Sequence, residues 1–372
     1  MSEVPSLYLG LISGTSADGI DAALVSFEQE RPRLLAARTH PWPEALRAEI
    51  LAVAQGEATL DLDAFGRLDV ALGQGFAEAA LALLEDSGTP AAAIHAIGSH
   101  GQTVRHRPAG AHPFTLQLGD PATIAERCGI DVVADFRRAD VAAGGQGAPL
   151  LPAVHAMLLA VPGRTRVVLN LGGIANITVL GADGGVTGFD TGPANGLLDA
   201  WCLRHRGEAF DRDGAFAASG KVDDTLLDAL LADPYFALAP PKSTGREHFH
   251  LDWLAAQPRM AALAPADVQA TLLELSARSV AAAIARHAPD AKDVLACGGG
   301  VHNGALMRRL AELLAPRPLS STAASGVDPD FLEATAFAWL ARQRLLGLPG
   351  NLPAVTGARG LRQLGAIHPA PR

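Results

Sequence analysis

Near its start the chain reads Leu9-Gly10-Leu11-Ile12-Ser13-Gly14-Thr15-Ser16-Ala17-Asp18-Gly19-Ile20-Asp21, followed by Ala22-Ala23-Leu24-Val25. This is the pattern of a strand, a turn of small hydroxyl and carboxylate residues, and a returning strand. A second copy reads Val167-Val168-Leu169-Asn170-Leu171-Gly172-Gly173-Ile174-Ala175-Asn176-Ile177-Thr178-Val179. Glycine lets the backbone approach a ligand, and consecutive backbone N–H groups in such turns bind anions. Either turn alone could be an ordinary β-hairpin, but together they predict two similar lobes that close on a nucleotide.

A third glycine-rich turn lies late in the chain. The run Val294-Leu295-Ala296-Cys297 is typical of a buried strand and leads into Gly298-Gly299-Gly300, after which a helical pattern begins. Bare glycine backbone lets a planar group lie against it, and an open helix N-terminus can receive a phosphate or a ribose hydroxyl. A tight strand-to-helix turn is the alternative. Since the chain has neither a Rossmann fingerprint nor a P-loop, we expect the hairpins to bind phosphates and this turn to bind adenosine.

Composition narrows the function classes. At 372 residues the chain is long enough for two lobes, and its 49% hydrophobic and 19% charged residues indicate a packed globular protein. The net charge of −9 and the lack of a basic cluster argue against a nucleic-acid partner. No apolar run is long enough to span a membrane, and no secretory signal is evident. Because the three cysteines are separated and form no CxxC pair, we expect a reducing, cytoplasmic location.

Alternating apolar runs and helical patterns predict an α/β architecture. We expect a strand at 93–98, a helix N-capped by Asp120 with Pro121 in its first position, and a long helix at 268–287. Pro193 likewise suits the first position of a helix. The segment 144–149 is glycine-rich and is the candidate hinge. The predicted domains are therefore 1–145 and 146–372, with a C-terminal helix that could pack back on the first lobe.

The order of these motifs resembles the actin, sugar kinase and Hsp70 superfamily, and within it the 1,6-anhydro-N-acetylmuramic acid kinase family. The resemblance covers nearly the whole chain and is carried by the two hairpins together with 99–103, 117–120, 135–137, 145–150, 189–193, 241–247, 297–300 and 333–338. Ala17 departs from the family, which often has methionine there; we expect this position to face packing. The resemblance implies a two-lobed actin-like ATPase fold, ribonuclease H-like, with an active-site cleft between the lobes.

The family resemblance also implies the reaction. Such kinases use ATP, Mg²⁺ and a water molecule to open the 1,6-anhydro bond of anhydro-N-acetylmuramic acid and phosphorylate O6. The products are N-acetylmuramic acid 6-phosphate and ADP, formed during peptidoglycan recycling. The family also suggests a homodimer. A conventional sugar kinase or phosphohydrolase on the same scaffold, or a non-catalytic actin-like nucleotide-binding protein, remains the alternative.

The resemblance assigns ATP contacts to all three glycine-rich turns. The candidate residues are Gly14, Thr15, Ser16, Ala17, Asp18, Gly19, Ile20, Asp21, Gly172, Gly173, Asn176, Gly298, Gly299, Gly300 and Asn303. Asp18 is also the candidate Mg²⁺ ligand, and we expect it to hold the ion through water, because Mg²⁺ keeps several waters and takes few carboxylates. Asp18-Gly19 is equally a common hairpin pair.

Asp190 is the candidate general base, which removes a proton from water as it attacks the anomeric carbon. We expect it at the end of a central strand, where a carboxylate of ordinary pKa is ionised at neutral pH. A turn carboxylate bonded to nearby backbone is the alternative.

His100, Gln102, Arg137 and Glu333 are the candidate substrate contacts. Each has a plainer interpretation: a capping or core role for His100, a solvated pair for Arg137-Arg138, and a favourable first-turn charge for Glu333. Arg137 is the candidate partner of the lactyl carboxylate of the sugar.

Overall fold

The structure is a computed structural model that describes residues 6–14, 16–28, 31–56, 58–245 and 248–371. It divides into two compact units: unit 1 comprises Met1–Leu158 and Phe331–Arg372, and unit 2 comprises Leu159–Asp330. The division thus falls at 158/159 instead of 145/146, because Leu150 and Val154 are buried in the core of unit 1. The last part of the chain also belongs to unit 1.

The strands and helices follow each other in an α/β order. The strands are β1 (Ser6–Ser13), β2 (Ile20–Glu28), β3 (Arg31–His40), β4 (Ile94–Arg107), β5 (Phe114–Leu118), β6 (Val132–Ala134), β7 (Arg166–Leu171), β8 (Ile174–Leu180), β9 (Val186–Pro193), β10 (Asp293–Cys297), β11 (Leu319–Ser321) and β12 (Ala366–His368). The helices are α1 (Glu44–Gln55), α2 (Leu62–Ser87), α3 (Pro121–Cys128), α4 (Arg138–Ala142), α5 (Leu151–Leu159), α6 (Asn195–Arg206), α7 (Ala215–Ala218), α8 (Asp224–Leu231), α9 (Pro234–Ala237), α10 (Leu251–Ala255), α11 (Pro265–His287), α12 (Gly304–Leu314), α13 (Leu332–Leu345) and α14 (Pro353–Thr356).

The described residues of unit 1 form a seven-stranded sheet in the order β12-β6-β4-β1-β2-β3, with β5 added to β4. The strands β3, β2 and β1 form an antiparallel meander, and β1, β4 and β6 run parallel. Alternate residues of β1 face opposite sides: Leu9 and Leu11 pack with α2 and α3, whereas Tyr8 packs with α13. The sheet is therefore covered by helices on both faces.

Unit 2 repeats this arrangement. Its described residues form a five-stranded sheet in the order β11-β10-β7-β8-β9, in which β7, β8 and β9 are antiparallel neighbours and β7, β10 and β11 run parallel. The order β3-β2-β1-β4-β6 in unit 1 corresponds to β9-β8-β7-β10-β11 in unit 2. In both units, three antiparallel strands are followed by two strands parallel to the first. The α/β class with two ribonuclease H-like units is confirmed by this repeat. The core of unit 2 lies between the sheet and the helices α6, α11 and α12.

Both predicted hairpins are present, as β1–β2 and β7–β8. The helix start at residue 120 is also confirmed: the Asp120 carboxylate accepts hydrogen bonds from the N–H groups of Ala122 and Thr123, and Pro121 occupies the first turn of α3. The long predicted helix is α11, which begins three residues earlier than expected. Within the part of the chain that the structure describes, no helix combines the length and hydropathy that a bilayer crossing needs.

Three local predictions were wrong. The strand expected at 93–98 continues as β4 to Arg107, so the motif 99–103 lies inside a strand and not after it. Gly101 permits this through a φ of +76°, with its backbone close to Leu118 of β5. Pro193 ends β9 and does not begin a helix; α6 starts at Asn195. Asp190 therefore lies within β9, and β9 is an edge strand, not a central one.

Candidate functional site

The first glycine-rich turn, between β1 and β2, leaves part of its backbone open. Gly14 is exposed, and a Cβ atom added there would meet only the Ser16 hydroxyl, at 3.9 Å. The side chains of Ala17 and Ile20 are fully buried in the core of unit 1. These two residues could therefore contact a ligand only through their backbone, and Ala17 packs as expected. Thr15 lies outside the described residues.

The carboxylates of this turn differ in their environment. Asp18 is 70% exposed and forms an ion pair of 2.8 Å with Arg47, whose Nε also donates to the carbonyl of Ala17. Asp21 accepts a hydrogen bond of 2.6 Å from the Thr39 hydroxyl. The Arg47 contact holds Asp18 at the rim of the turn, where it could face a hydrated cation.

The described residues contain no group of three His, Cys, Asp or Glu side chains placed to hold a metal ion. Mg²⁺ does not require such a group, because it binds through one or two carboxylates, water and substrate phosphates. The exposed carboxylate of Asp18 beside an open glycine backbone fits that mode, and not an all-protein cage.

Gln102 connects β4 to the first turn. Its side chain is fully buried, and its Nε2 donates to the Gly14 carbonyl at 3.2 Å. Its Oε1 has no hydrogen-bond partner among the described residues. A buried acceptor of this kind is costly unless a ligand or water satisfies it. Gln102 is therefore placed to support the turn and to accept one bond from a ligand.

Arg137 and His100 form a hydrogen-bonded pair in unit 1, in which His100 is buried and Arg137 is partly buried. The Arg137 Nε donates to His100 Nε2 at 3.0 Å, and His100 Nδ1 lies 2.9 Å from the Gly101 carbonyl. Because a carbonyl only accepts, the proton of the ring must be on Nδ1, which leaves Nε2 to accept from Arg137. Burial, and then the Arg137 guanidinium, hold the pKa of His100 well below its usual range. The imidazole is thus neutral at pH 7.

The charge of Arg137 is the main feature of this region. Burial lowers the pKa of Arg137 to about 10, against the opposing effects of Glu333 and Asp140. Its Nη1 donates to the Gly147 carbonyl at 2.7 Å. By contrast, Arg138 is exposed and lies 3.6 Å from Asp135. Arg137 and Arg138 are therefore not an equivalent solvated pair, and Arg137 brings His100 and Glu333 into one electrostatic group.

Asp140 is a residue that sequence reasoning missed. It is fully buried and accepts hydrogen bonds from the Gly147 N–H, the Asn351 amide and the Thr356 hydroxyl at 2.7–2.8 Å. These bonds tie the segment 144–149 to the C-terminal part of unit 1. They also place the Gly147 carbonyl where it accepts the hydrogen bond from Arg137.

In unit 2 a row of polar side chains crosses the sheet. Asn170 of β7 is paired with Asn176 of β8, and Asn176 is paired with Asp190 of β9. Directly paired residues lie on one face of a sheet with Cβ atoms about 5 Å apart. On the other side of Asn170, its amide oxygen lies 3.9 Å from the thiol of Cys297 in β10. The row therefore links the second glycine-rich hairpin to the candidate base and to the third turn.

The second and third glycine-rich turns meet at Leu171. Gly298 has a φ of +79°, and a Cβ atom at Gly298 or Gly300 would collide with the Asn170–Leu171 strand end. The Asn195 amide donates to the Leu171 carbonyl at 2.9 Å, and its backbone N–H donates to Gly172. Gly299 has open space around it. Close backbone packing thus requires two of the three glycines, and the third faces free space.

Asn303 has a local structural role. Its side-chain oxygen accepts from the N–H of Leu306 at 3.0 Å and so caps α12. The side chain is almost fully buried. Its remaining amide hydrogens are the groups that a nucleotide could use.

The Asp190 carboxylate is held from outside its own strand. Its Oδ2 accepts from the backbone N–H of Thr244 at 3.0 Å, and its own N–H donates to the Lys242 carbonyl at 3.2 Å. The Tyr235 hydroxyl donates to the Asp190 carbonyl at 2.7 Å. The segment 242–244 and α9 therefore fix both the backbone and the carboxylate of Asp190.

The charge of Asp190 affects the pKa values of two neighbouring side chains. Burial, and then the Asp190 charge, raise the pKa of Tyr235. Burial and Arg286 lower the pKa of Lys242, and Asp190 acts in the opposite direction. Sequence reasoning missed Tyr235, Lys242 and Thr244, although the motif 241–247 was a usable signal. Arg246 and Glu247 of that motif lie outside the described residues.

A family model and several named proteins match almost the full length of this chain. The family described as anhydro-N-acetylmuramic acid kinase matches residues 6–370. A protein of that name from Xanthomonas axonopodis pv. citri (strain 306) is 59% identical over 367 residues, which covers 98% of each chain. The protein of that name from Xanthomonas campestris pv. campestris (strain 8004) is 58% identical over 98% of this chain and 97% of its own length. The one from Saccharophagus degradans is 50% identical over 98% and 99%.

Proposed function

The chain belongs to the anhydro-N-acetylmuramic acid kinase family, and from this premise we propose that it uses ATP to open 1,6-anhydro-N-acetylmuramic acid and phosphorylate O6. The products are N-acetylmuramic acid 6-phosphate and ADP, and the place of action is the cytoplasm, in peptidoglycan recycling. The observation that carries the proposal is the Asp190 carboxylate, which the Thr244 N–H holds on the same sheet face as Asn170 and Asn176. This arrangement sets a proton acceptor beside the glycine-rich turn that would bind phosphate.

The proposed reaction joins two bond changes. The oxygen of a water molecule bonds to the anomeric carbon, and its proton passes to Asp190. The C1–O6 bond breaks, O6 bonds to the γ-phosphorus, and the bond from that phosphorus to ADP breaks. General-base help of this kind is typically worth about 10²–10⁴ in rate. The hydrogen bond from the Thr244 N–H to Oδ2 would hold the carboxylate in a fixed orientation while it accepts the proton.

The proposed sugar contacts of unit 1 are His100, Gln102, Arg137 and Glu333. The guanidinium of Arg137 keeps donors beyond those used by His100 and Gly147. Such donors suit the lactyl carboxylate, because charged bidentate hydrogen bonds are strong. Gln102 contributes its buried Oε1, which has no hydrogen-bond partner among the described residues, as an acceptor for a sugar hydroxyl.

The proposed phosphate contacts are backbone groups of the first two glycine-rich turns. Phosphoryl transfer depends on positioning and charge neutralisation more than on covalent chemistry by the protein. Asp18 would hold Mg²⁺ through water, and the ion would neutralise charge on the phosphates. Gly298, Gly299, Gly300 and Asn303 would receive the adenosine, with Gly299 as the open position.

The test is ADP release with 1,6-anhydro-N-acetylmuramic acid as the varied substrate. We expect turnover that depends on this sugar and no stimulation by ordinary hexoses. In ¹⁸O-labelled water the label should enter the C1 hydroxyl of the product. Label-free product with normal turnover would indicate a conventional kinase on a free hydroxyl. ATP hydrolysis that ignores the sugar would contradict the proposal altogether.

A further inference from the structure

A cavity of about 290 Å³ lies in unit 2 beside the edge strand β9. Its walls come from β9, from α8 and α9, from the segment that carries Lys242, and from α11. Phe189 and Thr191 face it. Asp190, between them, is not among the residues that line the cavity. The cavity is therefore separate from the polar row that carries the candidate base.

The polar groups of the cavity are basic or neutral. Lys242, Arg286 and His287 line it together with the hydroxyl of Ser279, and no acidic residue is among its described lining. Arg286 is exposed, and the described residues give it no ion-pair partner. The cavity thus presents an ammonium, a guanidinium, an imidazole and a hydroxyl group, all of which can donate hydrogen bonds to an anion.

These basic groups lie close enough for each to disfavour the positively charged form of the others. Burial and Arg286 lower the pKa of Lys242, with Asp190 acting in the opposite direction, and burial, Arg286 and Lys242 lower the pKa of His287. The Lys242 ammonium donates to the Tyr235 carbonyl at 3.1 Å and lies 4.5 Å from the centre of the Tyr235 ring. A bound anion would relieve this repulsion, because opposite charge favours the charged forms.

The rest of the lining is apolar. The ring of Phe189 lies edge-on to His287 with 4.8 Å between ring centres, and Phe236 and Leu231 complete the wall. Pockets for small molecules combine such walls with a few polar groups, and their volumes begin near about 300 Å³. The cavity therefore suits a small molecule with one strongly acidic group and a compact body.

We propose that this cavity is a second binding site, for a small phosphate monoester of about hexose size. The phosphate would lie between Lys242 and Arg286 with His287 and Ser279 as further donors. The compact body would lie against Phe189 and Phe236. Charge-assisted hydrogen bonds from a guanidinium and an ammonium are the usual means of phosphate recognition in proteins.

The site has a direct connection to Asp190. Lys242 contributes its side chain to the cavity, while its carbonyl accepts from the Asp190 N–H at 3.2 Å. Two residues later, Thr244 donates to the Asp190 carboxylate. Movement of Lys242 toward a phosphate would shift this hydrogen-bonded segment. Occupancy of the cavity therefore changes the position of the candidate base.

Binding is tested by calorimetry with inorganic phosphate, glucose 6-phosphate and unphosphorylated glucose, each in the presence of a saturating non-hydrolysable ATP analogue. We expect the two phosphates to bind with a Kd of about millimolar order and glucose not to bind. Arg286→Gln should weaken phosphate binding at least about tenfold, equal to about 1.4 kcal/mol. The matched control is Arg204→Gln, which removes an exposed arginine of α6 that does not line the cavity.

The proposal would be overturned by an unchanged phosphate affinity in Arg286→Gln, or by no phosphate binding to the unaltered protein up to about 10 mM. Equal losses in both variants would also count against it, since they would reflect net charge alone. A separate readout is kinase turnover with added glucose 6-phosphate, which should change in the unaltered protein and not in Arg286→Gln. This readout depends on the proposed function, whereas the binding experiment does not, so the two failures can be distinguished.

Discussion

Asp190→Asn is the most direct perturbation of the proposed chemistry. The amide has nearly the same size as the carboxylate and can present its oxygen to the Thr244 N–H, which lies 3.0 Å from Oδ2. The bonds from Tyr235 and to Lys242 involve the Asp190 backbone and are not altered by the change. The variant should therefore fold and retain the surroundings of residue 190, while it loses the group that accepts a proton.

The expected size of the effect follows from these contacts. Loss of general-base help lowers kcat by about 10²–10⁴, which corresponds to about 3–5 kcal/mol of transition-state stabilisation. A neutral acceptor in place of the carboxylate weakens the bond from Thr244, so the free energy of unfolding should fall by only about 1 kcal/mol. None of the contacts assigned to ATP is made by Asp190, and the amide keeps the size of the carboxylate beside Asn176, so ATP affinity should be unchanged.

The assay is coupled ADP release at saturating ATP and sugar, with ATP affinity from calorimetry and stability from urea unfolding. Asp183→Asn is the matched control, because Asp183 is an exposed carboxylate in the turn before β9 and accepts a local hydrogen bond from the Gly185 N–H. It should leave kcat near its normal value. Near-normal kcat in Asp190→Asn would remove this residue from the mechanism, and a parallel loss of ATP binding would point to a structural role.

Three further predictions follow from other contacts. Arg137→Lys should raise KM for the sugar at least about tenfold, because lysine cannot make the paired hydrogen bonds of a guanidinium. Arg138→Lys should leave KM unchanged. Equal effects of the two changes in steady-state kinetics would contradict the assignment. Gly298→Ala should lower the free energy of unfolding by about 1–3 kcal/mol and weaken ATP binding, while Gly299→Ala should cost little stability. Urea unfolding measures the stability of the two variants, and calorimetry measures their ATP affinity. Equal stability of the two variants would refute the packing argument. Burial lowers the pKa of His155 to about 3. In the unfolded state the pKa of this histidine is about 6.5, so between pH 6.5 and 3 only the unfolded state binds the proton. The stabilisation from the neutral histidine is therefore fully present above pH 6.5, and it is lost as the pH falls from 6.5 toward 3. Between pH 7.5 and 5.5 this histidine should account for about 1 kcal/mol of lost stability, and His155→Gln should show a flatter pH dependence in urea unfolding; an unchanged slope would exclude it.

The features predicted well are those that short segments encode. A strand, a glycine-rich turn and a returning strand are specified by neighbouring residues, so both hairpins were predictable. The same holds for the start of α3, where Asp120 and Pro121 have preferences that act within one helical turn. The grouping of Arg137 with His100 and Glu333 required the family resemblance, because these residues are far apart in the chain.

The wrong predictions depend on pairing between distant segments. The strand β4 continues through 99–103 because β5 pairs with its second half, and local pattern does not contain that partner. Pro193 suits a helix start, but Ile174 pairs with it in the sheet. The surroundings of Asp190 were missed for the same reason: Tyr235 and Thr244 reach it from a segment with few regular elements, and no periodicity marks such contacts.

Unit 1 is discontinuous, since its sheet is completed by residues that follow all of unit 2. Helix α13 packs directly on β1, and the backbone of Gly10 lies so close to Ala334 that no side chain fits between them. During synthesis on the ribosome, one side of this first sheet consequently stays bare until the final segment emerges. A nonsense mutation that removes only the last forty or so codons should therefore leave a nascent chain that exposes apolar strands and becomes a client of chaperones and proteases.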